Sequence, residues 1–269
     1  MNDKKAILVT GAANGIGKSI SQYLASKDYF VFASDIDDEG LITLENTENI
    51  KTIKLNIRNT EEIARAFEVV SSLTEGLDCL VNNAGIFVGG PMLEISVEDM
   101  RAILEINVLG MIDVTQKFFP LLQKRKGKII NISSEVGRFS YPFNGPYGIS
   151  KYAVEAYSDS LRRELMFEGM KVIKIQPGAF NTRFITETED EYRKFVEESM
   201  FKDQLSRIWP VLAKEKKKSA DPIVIAKLVH KILKKNHPRR SYKVKNNRTR
   251  MILEYLPAPL ADFVIKHFI

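Results

Sequence analysis

AILVTGAANGIGKSISQYLASK, residues 6–27, decides the fold. Its first five residues are branched and apolar, as in a strand; a glycine-spaced turn, TGAANGIG (10–17), follows; apolar residues at three- and four-residue spacing then continue as an amphipathic helix. Gly11, Gly15 and Gly17 permit a tight turn, with Asn14 and Ile16 between them, and let backbone N–H groups approach a pyrophosphate that the helix N-terminus also attracts. A glycine-spaced turn is a weak signal by itself, but between a strand and a helix it predicts a dinucleotide site. A plain strand-to-helix connection is the other use of such a turn.

The same alternation runs outward. YFVFAS (29–34), KTIKLN (51–56), DCLVN (78–82), KIINIS (128–133) and KVIKIQ (171–176) read as strands, separated by helical stretches such as 60–73 and 97–122. Strands apolar on both faces predict an α/β fold, a doubly wound, mostly parallel Rossmann sheet with helices on both faces. The pattern changes after about residue 180. Residues 184–218 offer no strand-like run and are expected as a small helical substrate lid. Residues 219–269 form a C-terminal extension with a helix at 221–235 and a last edge strand at 241–245. With no repeat, linker or second core, residues 1–269 read as a single domain.

Composition narrows the function classes. In 269 residues, 44% hydrophobic content excludes a disordered or fibrous chain. The one cysteine, Cys79, excludes a disulfide framework, and His230, His237 and His267 lack partners at metal-ligand spacing, so no metal is expected. The N-terminus lacks a signal-peptide pattern and no apolar run spans a bilayer, so the expected location is cytoplasmic. The net charge is +6, and Lys214 to Arg250 carries fourteen Lys or Arg against two acids. Such a run is ordinarily a solvated face, with phosphate or anionic lipid as its alternative partner and no nucleic acid expected.

Two side-chain patterns carry chemistry. Asp35 closes the second strand, eighteen residues past Gly17, where a carboxylate can accept hydrogen bonds from the adenosine ribose; this favours NAD over NADP, as does neutral Asn14 where a basic residue would help hold a 2'-phosphate. As a turn residue before IDDEG it would need no ligand. In NGPYGISK (144–151), Tyr147 and Lys151 share one helix face, one turn apart. An exposed helix can also carry that pair.

With TGAANGIG, NNAG (82–85), ISSEVG (132–137), YGISK (147–151) and QPG (176–178) in chain order over about two-thirds of its length, the sequence resembles the short-chain dehydrogenase/reductase family. The resemblance implies a catalytic tetrad of Asn107, Ser134, Tyr147 and Lys151. Tyr147 would be the general acid or base, Lys151 would lower its pKa and bind the nicotinamide ribose, and Ser134 would hold the substrate oxygen. Asn107 would hold a water linking Lys151 to solvent. The cofactor would also meet Asp35, Asn56, Ile57, Asn83, Ala84 and Gly85 on the adenosine side, and Pro177, Gly178, Phe180 and Thr182 on the nicotinamide side. Asn56 stands where the family commonly has Asp, with an amide oxygen able to accept from the adenine amino group. Phe180 replaces a smaller residue and is expected to tighten the nicotinamide pocket.

Apolar segments at 86–92, 137–146 and 179–185, with Phe201 and Trp209, suit a lipophilic substrate, or alternatively a core or subunit interface. Together with RRSYKV (239–244), they resemble the hydroxysteroid and retinol branch of the family. The expected activity is NAD-dependent interconversion of a secondary or lipophilic alcohol with its carbonyl. The alternatives are reduction of a 3-oxoacyl thioester or of a small sugar or ketone, and a non-catalytic NAD-binding regulator or scaffold. The resemblance implies a homodimer or homotetramer. The last nineteen residues could touch a membrane surface, although Pro257 and Pro259 interrupt any long helix there.

Overall fold

A computed structural model describes residues 4–195 and 197–268; residues 1–3, 196 and 269 of the expected domain lie outside it. Seven parallel strands form one sheet: β1 (Ala6–Thr10), β2 (Phe30–Asp35), β3 (Ile50–Lys54), β4 (Cys79–Asn82), β5 (Lys128–Ile132), β6 (Lys171–Pro177) and β7 (Ser241–Val244). Their order is β3-β2-β1-β4-β5-β6-β7. It reverses between β1 and β4, so the crevice at the carboxyl ends of those two strands is where an open α/β sheet takes a ligand.

Period-two alternation in the strands builds two cores. Ile7, Val9, Val31, Val81, Ile130 and Ile173 face one side, packed with α1 (Gly15–Ala25) and α9 (Ile223–Leu233). Ala6, Leu8, Phe32, Leu80, Ile129 and Val172 face the other, against α3 (Thr60–Leu73) and α5 (Met111–Arg125). Phe118 of α5 is fully buried there. Phe118→Ala is expected to cost about 3–5 kcal/mol in urea unfolding, through lost transfer energy and a residual cavity; a loss below about 1 kcal/mol would mean the site collapses freely.

The helix expected over 97–122 is interrupted. It is α-helical as α4 (Val97–Leu104) and α5, but a π-turn at Glu105–Gly110 joins them. Such turns re-aim side chains and are frequent at functional sites; this one holds Asn107. Between β3 and the earlier strands lies α2 (Asp38–Glu45), capped by Asp37. The helix carrying Tyr147 and Lys151 is α6 (Gly145–Leu165).

The expected lid consists of α7 (Arg183–Arg193) and α8 (Lys202–Lys218), and the extension adds α9, β7, α10 (Arg248–Leu253) and α11 (Ala258–Phe268). The expected break near Pro257 falls between α10 and α11. His230 serves packing, with its ring edge-on to Tyr23 and Tyr29. No described helix is long and apolar enough to cross a membrane.

Candidate active site

The phosphate loop is shaped by close backbone approach. Gly11 has φ +66°, and a Cβ on Gly17 would lie 2.0 Å from the Gly11 carbonyl oxygen. Asn83 holds that turn against β4: its Nδ2 donates to Thr10 O at 3.0 Å and Gly11 O at 2.9 Å, and the Asn83 and Ala84 N–H groups both donate to Thr10 Oγ1. Asn83, expected at the adenosine, therefore has its amide committed to the loop. Thr10 went unnoticed because a threonine at a strand end carries no pattern of its own.

The loop fits a pyrophosphate. Asn14, at the N-cap of α1, makes no side-chain cap and instead donates to Asp37 Oδ2 at 2.9 Å, so no cap from Asn14 occupies the first-turn N–H groups. Asp35 ends β2 with Oδ2 accepting from Ala13 N at 2.9 Å and Oδ1 from Asp37 N at 3.0 Å, beside the same cleft. Asn56 has its amide oxygen on the Arg58 N–H at 3.0 Å, which leaves only a second lone pair for an adenine amino group.

From Gly11 the cleft, of about 1830 Å³, runs past Ile57 and Gly85 to Tyr147, Lys151 and Ser134, and on to Gly178, Thr182 and the lid. Gly178 N donates to Val244 O at 2.9 Å, and Thr182 stands at the start of α7 beside Gly15 without a side-chain cap. Phe180 lines the cleft and is 4% exposed, joining the core cluster that includes Ile175 and Ile225.

Ser134, Tyr147 and Lys151 come together on one side of the cleft. Ser134 lies at the turn after β5 with Oγ accepting from Val136 N at 3.3 Å, whereas neighbouring Ser133 Oγ has no hydrogen-bond partner among the described residues. Burial pushes Tyr147 above the usual phenol range, with the nearby Ser134 side chain opposing that and Glu135 adding to it. Lys151 is 6% exposed; Nζ donates to Ile132 O at 3.0 Å and lies 5.5 Å from the Tyr147 ring centre. Burial brings Lys151 down to about 8, against the opposing pull of Glu155. Asn107 is held by protein groups: Nδ2 donates to Ile86 O and Ser150 Oγ, both at 3.0 Å, and Oδ1 accepts from Ile86 N at 2.8 Å. Both amide protons are taken by protein, and the side chain pins the loop after β4 to α6.

Around Tyr147 the walls are aromatic. Phe87 and Phe184 lie 5.3 and 5.4 Å from its ring, Tyr192 lies 5.8 Å beyond Phe87, and Phe143, Phe201, Trp209 and Leu205 complete the cluster. Part of the basic tail turns inward. Arg250 pairs with Glu135, next to Ser134, and with Glu215 of the lid, while its guanidinium lies over Tyr141. Glu254 takes Arg138 and Lys243. Among the described residues no group of His, Cys, Asp and Glu could hold a metal.

Known proteins share this architecture. The family model for short chain dehydrogenase matches residues 5–193. Mitochondrial D-beta-hydroxybutyrate dehydrogenase of Rattus norvegicus is 41% identical over 186 residues, 65% of this chain and 54% of that protein, so the chain spans about half the length of this relative. Retinol dehydrogenase 16 of Mus musculus is 34% identical over 281 residues, 97% of this chain and 87% of its own. In fold, a short-chain dehydrogenase from Streptomyces avermitilis superposes with a TM-score of 0.81 at 23% identity, covering 98% of this chain and 96% of that one. With the phosphate loop, the Ser134–Tyr147–Lys151 cluster and the match over most of the sheet in agreement, the chain belongs to the short chain dehydrogenase family of oxidoreductases.

Proposed function

We propose that this protein interconverts a lipophilic alcohol, hydroxysteroid-like or retinol-like, and its carbonyl with NAD. The observation that carries the reading is the grouping of Tyr147, Ser134 and the Lys151 ammonium at the foot of an aromatic-walled cleft continuous with the phosphate loop.

The chemistry of the side chains follows from their placement. Tyr147 takes the hydroxyl proton during oxidation and returns it during reduction. A buried phenol resists ionisation, so the Lys151 charge, kept close by the Ile132 carbonyl, favours the phenolate. Ser134 steadies the substrate oxygen as charge develops on it. Gly11 to Gly17 and Asp35 hold the pyrophosphate and the adenosine ribose, and Lys151 the nicotinamide ribose. The bound nicotinamide supplies the hydride acceptor and, when oxidised, a positive charge near Tyr147. Asp35 and Asp37 place two carboxylates at the adenosine ribose end, which disfavours a 2'-phosphate and supports NAD over NADP.

Phe87, Phe184 and Tyr192 offer apolar contact and few fixed polar groups near Tyr147, which suits a bulky alcohol better than a sugar. Of the relatives, retinol dehydrogenase 16 favours a lipophilic alcohol and D-beta-hydroxybutyrate dehydrogenase a small hydroxy acid. The test is the initial rate of NADH formation at mildly alkaline pH across retinol, hydroxysteroids, D-3-hydroxybutyrate, sugar alcohols and 3-hydroxyacyl thioesters, with NADP in parallel. Turnover of retinol or a hydroxysteroid with NAD is the expected result. Preference for the small acid or for NADP would overturn the pocket or the Asp35 argument respectively.

A further inference from the structure

A chain of charged side chains begins one turn past Lys151. Glu155 lies on the same face of α6 and is 8% exposed. Its Oε2 is 2.8 Å from Lys174 Nζ, and its Oε1 accepts from Gln176 Nε2 at 2.9 Å. Lys174 also lies 3.0 Å from Asp159 Oδ2, and Asp159 lies 3.7 Å from Arg162 Nε at the outer edge. Lys174 and Gln176 are 6% and 1% exposed, so β6 buries two polar side chains against Glu155 of α6. Burying an ion pair gives little stability over an apolar pair of the same size. Stability alone does not account for this one.

We propose that Glu155 is a positioning residue for the reaction: its carboxylate, one helical turn from Lys151 and held by Lys174 and Gln176, favours the charged ammonium beside Tyr147. The inference rests on the catalytic reading of Tyr147 and Lys151. The groups around the ammonium are the Ile132 carbonyl from β5, the Tyr147 ring from α6, and Asn107 Oδ1 across Gly85 from the π-turn. None of these carries a full charge. The nearby acids are Glu155, and Glu135, whose charge acts on Tyr147. Glu155 therefore supplies the charge that opposes the burial of Lys151, and Lys174 tempers it from the other side while dividing its own contact with Asp159. Through that pair, β6 sets how strongly Lys151 is held as a cation.

The experiment is the pH profile of kcat/KM with NAD for the wild type, Glu155→Gln, Glu155→Asp, Lys174→Met and Tyr147→Phe, with thermal unfolding alongside. The alkaline limb reports loss of the Lys151 proton from the active form. Glu155→Gln is expected to move that limb to lower pH by about one unit, the size of a close opposite-charge effect. Glu155→Asp should restore most of the shift, and Lys174→Met should move the limb upward. Where Lys174→Met does not fold, the Gln and Asp pair decides. Without turnover, an NMR titration of the Lys151 side chain, assigned with Lys151→Met, gives the same answer: its midpoint falls in Glu155→Gln. A lowered unfolding temperature with an unmoved limb and midpoint would leave Glu155 a structural residue and overturn the proposal. Full activity of Tyr147→Phe would instead overturn the catalytic reading on which it rests.

Discussion

Tyr147→Phe is expected to lower kcat about a thousandfold, the middle of the range for a general acid–base group, while NAD affinity stays within a few-fold of wild type. The ring contacts explain why the effect is confined to chemistry. Phe87 and Phe184 pack against the ring, and a phenylalanine keeps both contacts. Only the hydroxyl and its polar interaction with the nearby Ser134 are lost. One hydrogen bond contributes about 1 kcal/mol, so the unfolding temperature should move by only a few degrees. Stopped-flow single turnover with the best alcohol, calorimetric NAD titration and thermal unfolding together check this. A rate within tenfold of wild type, with binding intact, would remove Tyr147 from the reaction.

Gly17→Ala attacks the same activity from the other end of the cleft. Its added methyl would lie 2.0 Å from the Gly11 carbonyl oxygen and 2.6 Å from Asn83 Nδ2. Neither neighbour moves freely, because Asn83 Nδ2 donates to that very carbonyl and Thr10 Oγ1 holds the following backbone. The loop must open, at a cost of about 1–3 kcal/mol for overpacking. Displaced N–H groups should lower NAD affinity by about a hundredfold, as a loss of about 2.7 kcal/mol implies. Isothermal titration and thermal unfolding measure the two effects separately. Wild-type affinity in a folded variant would show that the loop tolerates a Cβ and that its shape does not select the ligand.

Much of this molecule is legible in its sequence for a simple reason: parallel strands buried on both faces are continuous apolar runs, and a four-residue spacing fixes a helix face. Hence AILVT and KVIKIQ mark β1 and β6 to within a residue or two, and Tyr147 and Lys151 fall together. What escaped depended on partners distant in sequence. The π-turn at Glu105–Gly110 is invisible because apolar spacing continues through it. Lys174 reads as the polar member of an alternating strand, yet α6 covers it and Glu155 neutralises it. Arg250 reads as part of a solvated basic run, but two acids from separate elements draw it against the cleft. The amides of Asn83 and Asn107 hydrogen-bond the phosphate loop, the loop after β4 and α6, contacts that no sequence spacing announces.

The return of the chain to β7 has an evolutionary meaning. β7 pairs with β6 in parallel register, Lys174 with Ser241 through Pro177 with Val244, so the segment between them, lid included, is an excursion anchored at both ends on one sheet edge. Closing a longer or shorter excursion changes the entropy only logarithmically with its length. Selection, or an engineer, can therefore exchange α7 and α8 for helices of another size and reshape what the cleft admits, without disturbing the strands that carry the reacting groups.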